Sequence, residues 1–292
     1  MVRIQLPRQR VSRPINQRLG FTLTELLVVI AVAVVLVSLL FLVITRSKWM
    51  GQSKYCLSNL KQLMTANQLY AGDNQDYLPP NEPIAHGQTA PCWVGGYLDF
   101  ASDNTDNTNS ALLTDPRYSK LAPYATSASL YKCPGDPSVV SGLGARVRSV
   151  AMNQAVGTRA NREPVSGAWL PGGWDDRQTS WVTYPKLSSM TNPSPAMLWV
   201  LIDEQPDSIN DAGFAVQCKF ATGDDAVIID FPGVFHEGGT GMAFADGHSE
   251  TRRWTGQAIQ PKPDYKGWTH RKPARDSEED LKWLQVRTSA AK

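Results

Sequence analysis

The commonest catalytic signatures are missing from this 292-residue chain. It contains no Gly-x-Ser-x-Gly elbow, no His-Glu-x-x-His pair and no glycine-rich phosphate loop placed between a strand and a helix. We therefore predict a protein that is not an enzyme. A metal-dependent hydrolase on a membrane stalk stays as an alternative, because residue types alone do not establish the geometry of a site.

A basic surface is missing as well. The formal charge is +2, but five of the 29 basic residues are arginines among the first 20 residues. Without them, 24 basic residues stand against 27 acidic ones. Lys and Arg form no cluster elsewhere, so we predict no nucleic-acid partner.

Cysteine is scarce, and its four positions have no zinc-site spacing: Cys56, Cys92, Cys133 and Cys218. In an oxidising compartment they permit up to two disulfides, in any of three pairings. Buried free thiols are the alternative, because lone cysteines behave as small core hydrophobes.

Proline is absent from Phe21 to Leu78, which favours one long helix ending near Ala71-Gly72. Within it, Leu26 to Ile44 is an apolar run of 19 residues, interrupted only by Ser38 and long enough to cross a bilayer. The arginine-rich start predicts a cytoplasmic N-terminus and a single pass. We divide the chain into a leader (1–20), a membrane segment (21–45), the soluble half of the helix (46–77) and a globular domain (78–292).

Glu25 does not fit an ordinary anchor, because a carboxylate inside an apolar segment is costly without a partner. Cleavage after Gly20 would create an α-amino group on Phe21, and the charges of neighbouring copies could then satisfy each other. An uncleaved signal anchor and a Sec-type cleavage further along are the alternatives.

Residues Gly20 to Ile30 resemble the cleavage and methylation signal of type IV prepilins and type II secretion pseudopilins. The resemblance implies that prepilin peptidase cuts after Gly20 and methylates Phe21. It also implies storage in the bacterial inner membrane with a periplasmic domain. The mature chain would then join other pilin or pseudopilin subunits in a secretion pseudopilus or a pilus-like fibre.

The soluble part resembles a branch of pseudopilin-like proteins abundant in planctomycete and verrucomicrobial bacteria. The segments that carry this resemblance are Cys56–Leu63, Leu130–Asp136, Arg148–Asn153 and an H-x9-DG element made by His236, Asp246 and Gly247. The chain departs from many relatives at Leu40-Phe41-Leu42-Val43, where they carry a proline. A minor or initiating subunit is therefore an alternative to a major one.

The pattern after residue 78 predicts an α+β domain with an antiparallel sheet. Ala196–Ile202 is the clearest buried strand, and Leu130–Asp136 is predicted to be a strand that ends in a tight turn. Asp246-Gly247 favours a type I′ hairpin turn. We expect His236 to fix the entry of this hairpin through a hydrogen bond to a backbone carbonyl. A short C-terminal helix follows the hairpin.

Two further interpretations concern ligands. Asp203, Glu204 and Asp211 follow the buried strand, and hard oxygen ligands suit Ca²⁺; major pseudopilins hold calcium in a C-terminal loop, so the resemblance points the same way. A solvated acidic loop is the alternative. A minor pilin or adhesin that binds carbohydrate is the second interpretation, and it uses exposed tryptophans: Trp93, Trp169, Trp174 and Trp181.

Overall fold

This computed structural model describes residues 20–82 and 92–292, and within the first range it omits the side chains of residues 42–49. The leader interpretation for residues 1–19 lies outside the described residues. The chain forms two compact units, of which the first ends at Ser47 and the second comprises Lys48–Lys292.

The described residues combine helices with a mainly antiparallel sheet, which confirms the α+β class. The helices are α1 Leu23–Asp73, α2 Ala111–Thr114 and α3 Glu278–Thr288. The strands are β1 Val139–Val140, β2 Gly144–Ala145, β3 Val150–Asn153, β4 Trp199–Asp203, β5 Gly213–Phe214, β6 Val227–Ile228, β7 Gly239–Phe244, β8 Ser249–Arg253 and β9 Lys272–Pro273.

Helix α1 is a single helix of 51 residues, as the proline-free pattern predicted. In the first unit, its stretch Leu23–Phe41 is long and apolar enough to cross a membrane, and signal sequences share these properties. The side chains of this stretch are exposed. The helix ends where Gln75 and Asp76 take left-handed backbone conformations and the Asp76 amide donates to the Ala71 carbonyl.

In the second unit, five strands form one sheet in the order β5-β3-β4-β7-β8. All neighbours are antiparallel except β3 and β5, which are parallel. The predicted strand at 196–202 is confirmed as the central strand β4, which is buried along its whole length.

The sheet has a core on each face because successive side chains of a strand point to opposite sides. Leu201 packs with Leu60, Leu63 and other residues of α1, whereas Ile202 belongs to the core that includes Leu281 of α3. By the same alternation, Asp203 faces α1. The last residue of β4 therefore places a carboxylate under the helix.

Candidate functional site

Four potential metal ligands from distant parts of the second unit meet at one buried point. They are Cys56 on α1, Cys133 in a loop, Asp203 at the end of β4 and His236 before β7. One ligand atom from each lies within 4.8 Å of those of the other three. We call these four residues the thiol cluster.

Asp203 lies in this cluster as a buried carboxylate with neutral hydrogen-bond donors. Its Oδ2 accepts from the Cys56 thiol at 2.7 Å, and its Oδ1 accepts from the Ser149 hydroxyl at 3.2 Å. Among the side chains that the structure describes, no lysine or arginine forms an ion pair with it. Burial raises the pKa of Asp203 to about 7, although the two donors lower it.

Cys133 reaches the cluster from a short 3-10 helix, Ala128–Tyr131, and the turn that follows it. The predicted strand at 130–136 is therefore wrong, because the segment begins in a 3-10 helix; the predicted tight turn is present, with the Asp136 amide donating to the Cys133 carbonyl. The Cys133 amide donates to the Ser149 hydroxyl at 2.8 Å, and the Gly135 amide donates to the Cys133 sulfur at 3.3 Å.

His236 is buried, and its Nε2 lies 3.2 Å from the Cys133 sulfur. The expected bond from its ring to a backbone carbonyl is wrong; the backbone of His236 instead pairs with Gly239 and starts the hairpin. Its Nδ1 is buried and has no hydrogen-bond partner among the described residues. Burial also lowers the pKa of His236, which favours the neutral ring.

Gly241 on β7 forms the floor of the cluster. A Cβ atom there would lie 2.8 Å from the Asp203 Oδ2, 2.8 Å from the Cys56 sulfur and 2.9 Å from the Leu60 Cδ1. The missing side chain lets α1 approach the sheet closely enough for the cysteine to reach the aspartate.

The other end of the hairpin lies apart from the cluster. Only Gly247 of the Asp246-Gly247 pair has a positive φ, +94°, so the predicted type I′ turn is wrong. The Gly247 amide donates to the Phe244 carbonyl, and the exposed Asp246 carboxylate contacts His248 Nδ1 at 2.6 Å. The turn is built from three residues with glycine in the left-handed position.

The three carboxylates proposed to bind calcium lie in different surroundings. Asp203 is in the thiol cluster, Glu204 accepts from the Ser208 hydroxyl at 2.7 Å, and Asp211 accepts from the Gly213 amide at 2.8 Å. The alternative of a solvated loop is wrong, because residues 204–209 are buried. Burial raises the pKa of Glu204 well above its usual range, and the nearby charge of Asp230 adds to the shift.

Two buried arginines hold this loop by its main chain. Arg146 donates to the carbonyls of Pro206 and Ile209 at 2.6 and 3.1 Å, and Arg148 donates to the Asp211 carbonyl at 2.8 Å. In the sequence analysis Arg148 appeared only as the first residue of a segment that carries the family resemblance, and Arg146 did not appear. The loop is therefore a fixed part of the core.

A cleft of about 380 Å³ lies beside the loop. Its walls include Trp169, Trp174, Trp268, His270, Asp211 and Asp230. Trp174 and Trp268 are more than half exposed, whereas Trp93, one of the tryptophans expected at the surface, is buried and donates to the Ala212 carbonyl. Trp181 is half-buried outside the lining. Trp268 was missed by sequence reasoning.

Glu25 finds a partner in Thr22, the residue just before its own helix. Its carboxylate accepts from the Thr22 amide at 2.8 Å and from the Thr22 hydroxyl at 2.7 Å, while the Glu25 amide donates to that hydroxyl at 3.3 Å. This is a capping box, and its Thr-x-x-Glu pattern was legible in the sequence. Gly20 and Phe21, just before it, are exposed.

All four cysteines are free and buried, which agrees with the free-thiol alternative. Cys92 donates to the Pro80 carbonyl, and Cys218 is near the Gln285 carbonyl, both outside the thiol cluster. The chain matches no family model, no curated protein and no solved structure.

Proposed function

We propose that this chain is a pilin-like structural subunit, processed by prepilin peptidase at Gly20-Phe21 and assembled with other subunits into a pseudopilus or pilus-like fibre. The observation that carries the proposal is the character of α1 within each unit. From Leu23 to Phe41 it is apolar and exposed, and beyond Lys48 it buries residues such as Leu60 in a globular core. An exposed apolar helix is stable only in lipid or against other proteins.

The start of α1 supports this proposal. Gly20 and Phe21 are exposed, and a Cβ on Gly20 would meet no atom within 4 Å. A peptidase can therefore reach the Gly20-Phe21 bond without unfolding a packed element. The bacterial inner membrane and a periplasmic globular unit are part of this proposal.

The test is the N-terminus of the chain in cells with active or inactivated prepilin peptidase. We expect the mature protein to begin at Phe21 only with the active enzyme, by N-terminal sequencing of membrane extracts. Gly20→Val should block cleavage without a folding defect, because the position is open. A chain that keeps its leader beside the active enzyme, or that is cleaved yet never enters fibres, would refute the proposal.

The tryptophan cleft favours a second function, the binding of a neutral carbohydrate by a minor subunit. Trp174, Trp169, His270 and Trp268 form a continuous series of ring contacts, with centroids 5.5, 4.9 and 4.5 Å apart. Such rings offer apolar faces, and the carboxylates of Asp211 and Asp230 offer acceptors for sugar hydroxyl groups.

A panel of soluble neutral oligosaccharides, followed by calorimetric titration of any hit, tests this function. Trp268→Ala should abolish binding. Phe220→Ala removes an equally exposed ring outside the cleft lining and should leave binding unchanged. Equal losses in both variants, or no bound sugar, would exclude the cleft as a carbohydrate site.

A further inference from the structure

We propose that the thiol cluster, Cys56, Cys133, Asp203 and His236, binds one Zn²⁺ ion. The ion would link α1 to the sheet of the second unit. The proposal does not depend on fibre assembly. It rests on the donor set, the spacing of the donor atoms and the burial of their charges.

The donor set is the first argument. Two thiolates, one imidazole and one carboxylate suit Zn²⁺ in a closed tetrahedral site, whereas Ca²⁺ selects oxygen ligands alone. With bonds of about 2.0–2.3 Å, the ligand atoms of such a site lie roughly 3.3–3.8 Å apart. Here the Cys56 sulfur lies 2.7 Å from Asp203 Oδ2, the Cys133 sulfur lies 3.2 Å from His236 Nε2, and all four atoms lie within 4.8 Å. Changes of up to about 1 Å in these separations would therefore form the tetrahedron.

The partners of two buried polar side chains, Asp203 and His236, are the second argument. Asp203 is fully buried, and its donors among the described residues are neutral: the Cys56 thiol, the Ser149 hydroxyl and the Gly241 backbone amide. A buried carboxylate without a cation is costly, and a bound dication removes that cost. In the described part of the chain the His236 ring has one partner, the weak thiol of Cys133 at Nε2, while Nδ1 can carry the proton of the neutral ring. A neutral imidazole in this position has a lone pair for a metal.

The surroundings of the cluster are the third argument. Two thiolates and one carboxylate around a dication leave one negative charge. The Gly135 amide donates to the Cys133 sulfur, and the Ser149 hydroxyl donates to Asp203, so both donors can stabilise that charge. Gly241 keeps the space free of a side chain. The contacts from Gly135 and Ser149 are of the outer-sphere kind that orients metal ligands.

A Cys56–Cys133 disulfide is the rival use of the same sulfurs. It would consume both thiols and take from Asp203 the donor of its 2.7 Å contact. It would also give no role to His236. The metal uses all four side chains, and for that reason we favour it.

The direct test is the metal content of the full-length chain, purified in detergent after growth with zinc. We expect one zinc ion per chain and four titratable thiols after denaturation with chelator. Cobalt(II) in place of zinc should give the intense visible absorption of a tetrahedral thiolate site. A chain with four thiols and no metal, or with two thiols and no metal, would overturn the proposal, the second result by showing a disulfide.

Variants assign the ligands. Cys56→Ser and His236→Gln should each weaken zinc binding by more than about 100-fold, because loss of an outer-sphere partner alone costs 10–100-fold. Cys92→Ser and Cys218→Ser remove equally buried thiols outside the cluster and should keep the zinc. Since a ligand variant can fail to fold, the cobalt spectrum of the unmodified chain stands as a separate measurement. Zinc retained by folded Cys56→Ser, or lost from both controls while they stay folded, would place the ion elsewhere.

Discussion

The sulfur of Cys56 lies 2.7 Å from the Oδ2 of Asp203, although 147 residues separate them in sequence. The contact joins the second half of α1 to the end of the central strand β4. It exists because Gly241, on the neighbouring strand β7, has no side chain to occupy the space between them. Packing at this point is consequently sensitive to a single methyl group.

We expect Gly241→Ala to destabilise the protein by about 1–3 kcal/mol, the usual range for overpacking a core. The new methyl group would meet three atoms closer than 3.0 Å, two of them in the thiol cluster. Gly213→Ala is the matched control, because its nearest neighbour would be 3.5 Å away. Chemical denaturation of both variants measures the difference. Equal midpoints would show that α1 does not approach the sheet this closely.

Gly247→Val should cost about 1–3 kcal/mol, because a β-branched residue is strained at a φ of +94°. Gly247→Asn is the control, since asparagine tolerates the left-handed region better. Thermal unfolding of the two variants gives the comparison. A valine variant as stable as the asparagine variant would contradict the turn geometry.

Glu25→Gln separates the two roles of Glu25. Glutamine keeps an oxygen acceptor for the Thr22 amide, so the capping box survives while the charge is lost. We expect Glu25→Gln and Glu25→Ala to insert into the membrane. Both should fail equally in fibre assembly, because we propose that the charge of Glu25 pairs with an α-amino group of a neighbouring subunit. Crosslinking of fibres measures incorporation. Normal assembly of the glutamine variant would show that Glu25 caps the helix and that its charge is not needed for assembly.

Asp211 should make the protein less stable as pH rises from about 4 to 7. Burial raises its folded-state pKa from 3.8 to about 7, against the opposing effects of the Gly213 amide, Arg148 and His270. The folded state therefore holds this proton more tightly than the unfolded state. Its stabilising effect is complete below pH 3.8 and is lost as pH rises through 7, with a limiting slope of about 1.4 kcal/mol per pH unit.

Asp211→Asn should make this slope shallower in denaturation series at several pH values. Buried Glu204 and Asp230 also have raised pKa values, so the difference between variant and parent is the informative quantity. Asp115→Asn is the control, because hydrogen bonds from Arg117 lower the pKa of that carboxylate. A slope that Asp211→Asn leaves unchanged would show that this carboxylate titrates normally.

Local features of the fold could be predicted from the sequence. An uninterrupted helical pattern predicted α1, an apolar run predicted β4, and Asp246-Gly247 predicted the position of the hairpin. The type I′ turn was wrong because the Asp246 carboxylate binds the His248 amide and holds the pair in a longer turn. Local sequence thus indicated where each element lies better than its detailed geometry.

The sites depend on long-range contacts that sequence spacing does not encode. The four ligand candidates, Cys56, Cys133, Asp203 and His236, were noted for separate reasons. The pairing of β4 with β7 under α1 and the contact of Cys133 with Ser149 bring them together. Trp268 reaches the cleft in the same way, from a loop far from Trp169. The short sequence spacing typical of zinc ligands is absent here because each ligand comes from a different segment.

The arginines beneath the acidic loop bind main-chain oxygens, at Pro206, Ile209 and Asp211. These hydrogen bonds do not depend on which side chains the loop carries, since every residue offers the same main-chain carbonyl. The path of the loop can therefore persist when its half-buried residues beside the cleft, Asn210 and Asp211, are exchanged. That makes the rim of the neighbouring cleft a place where new ligand preferences can arise at little cost to folding.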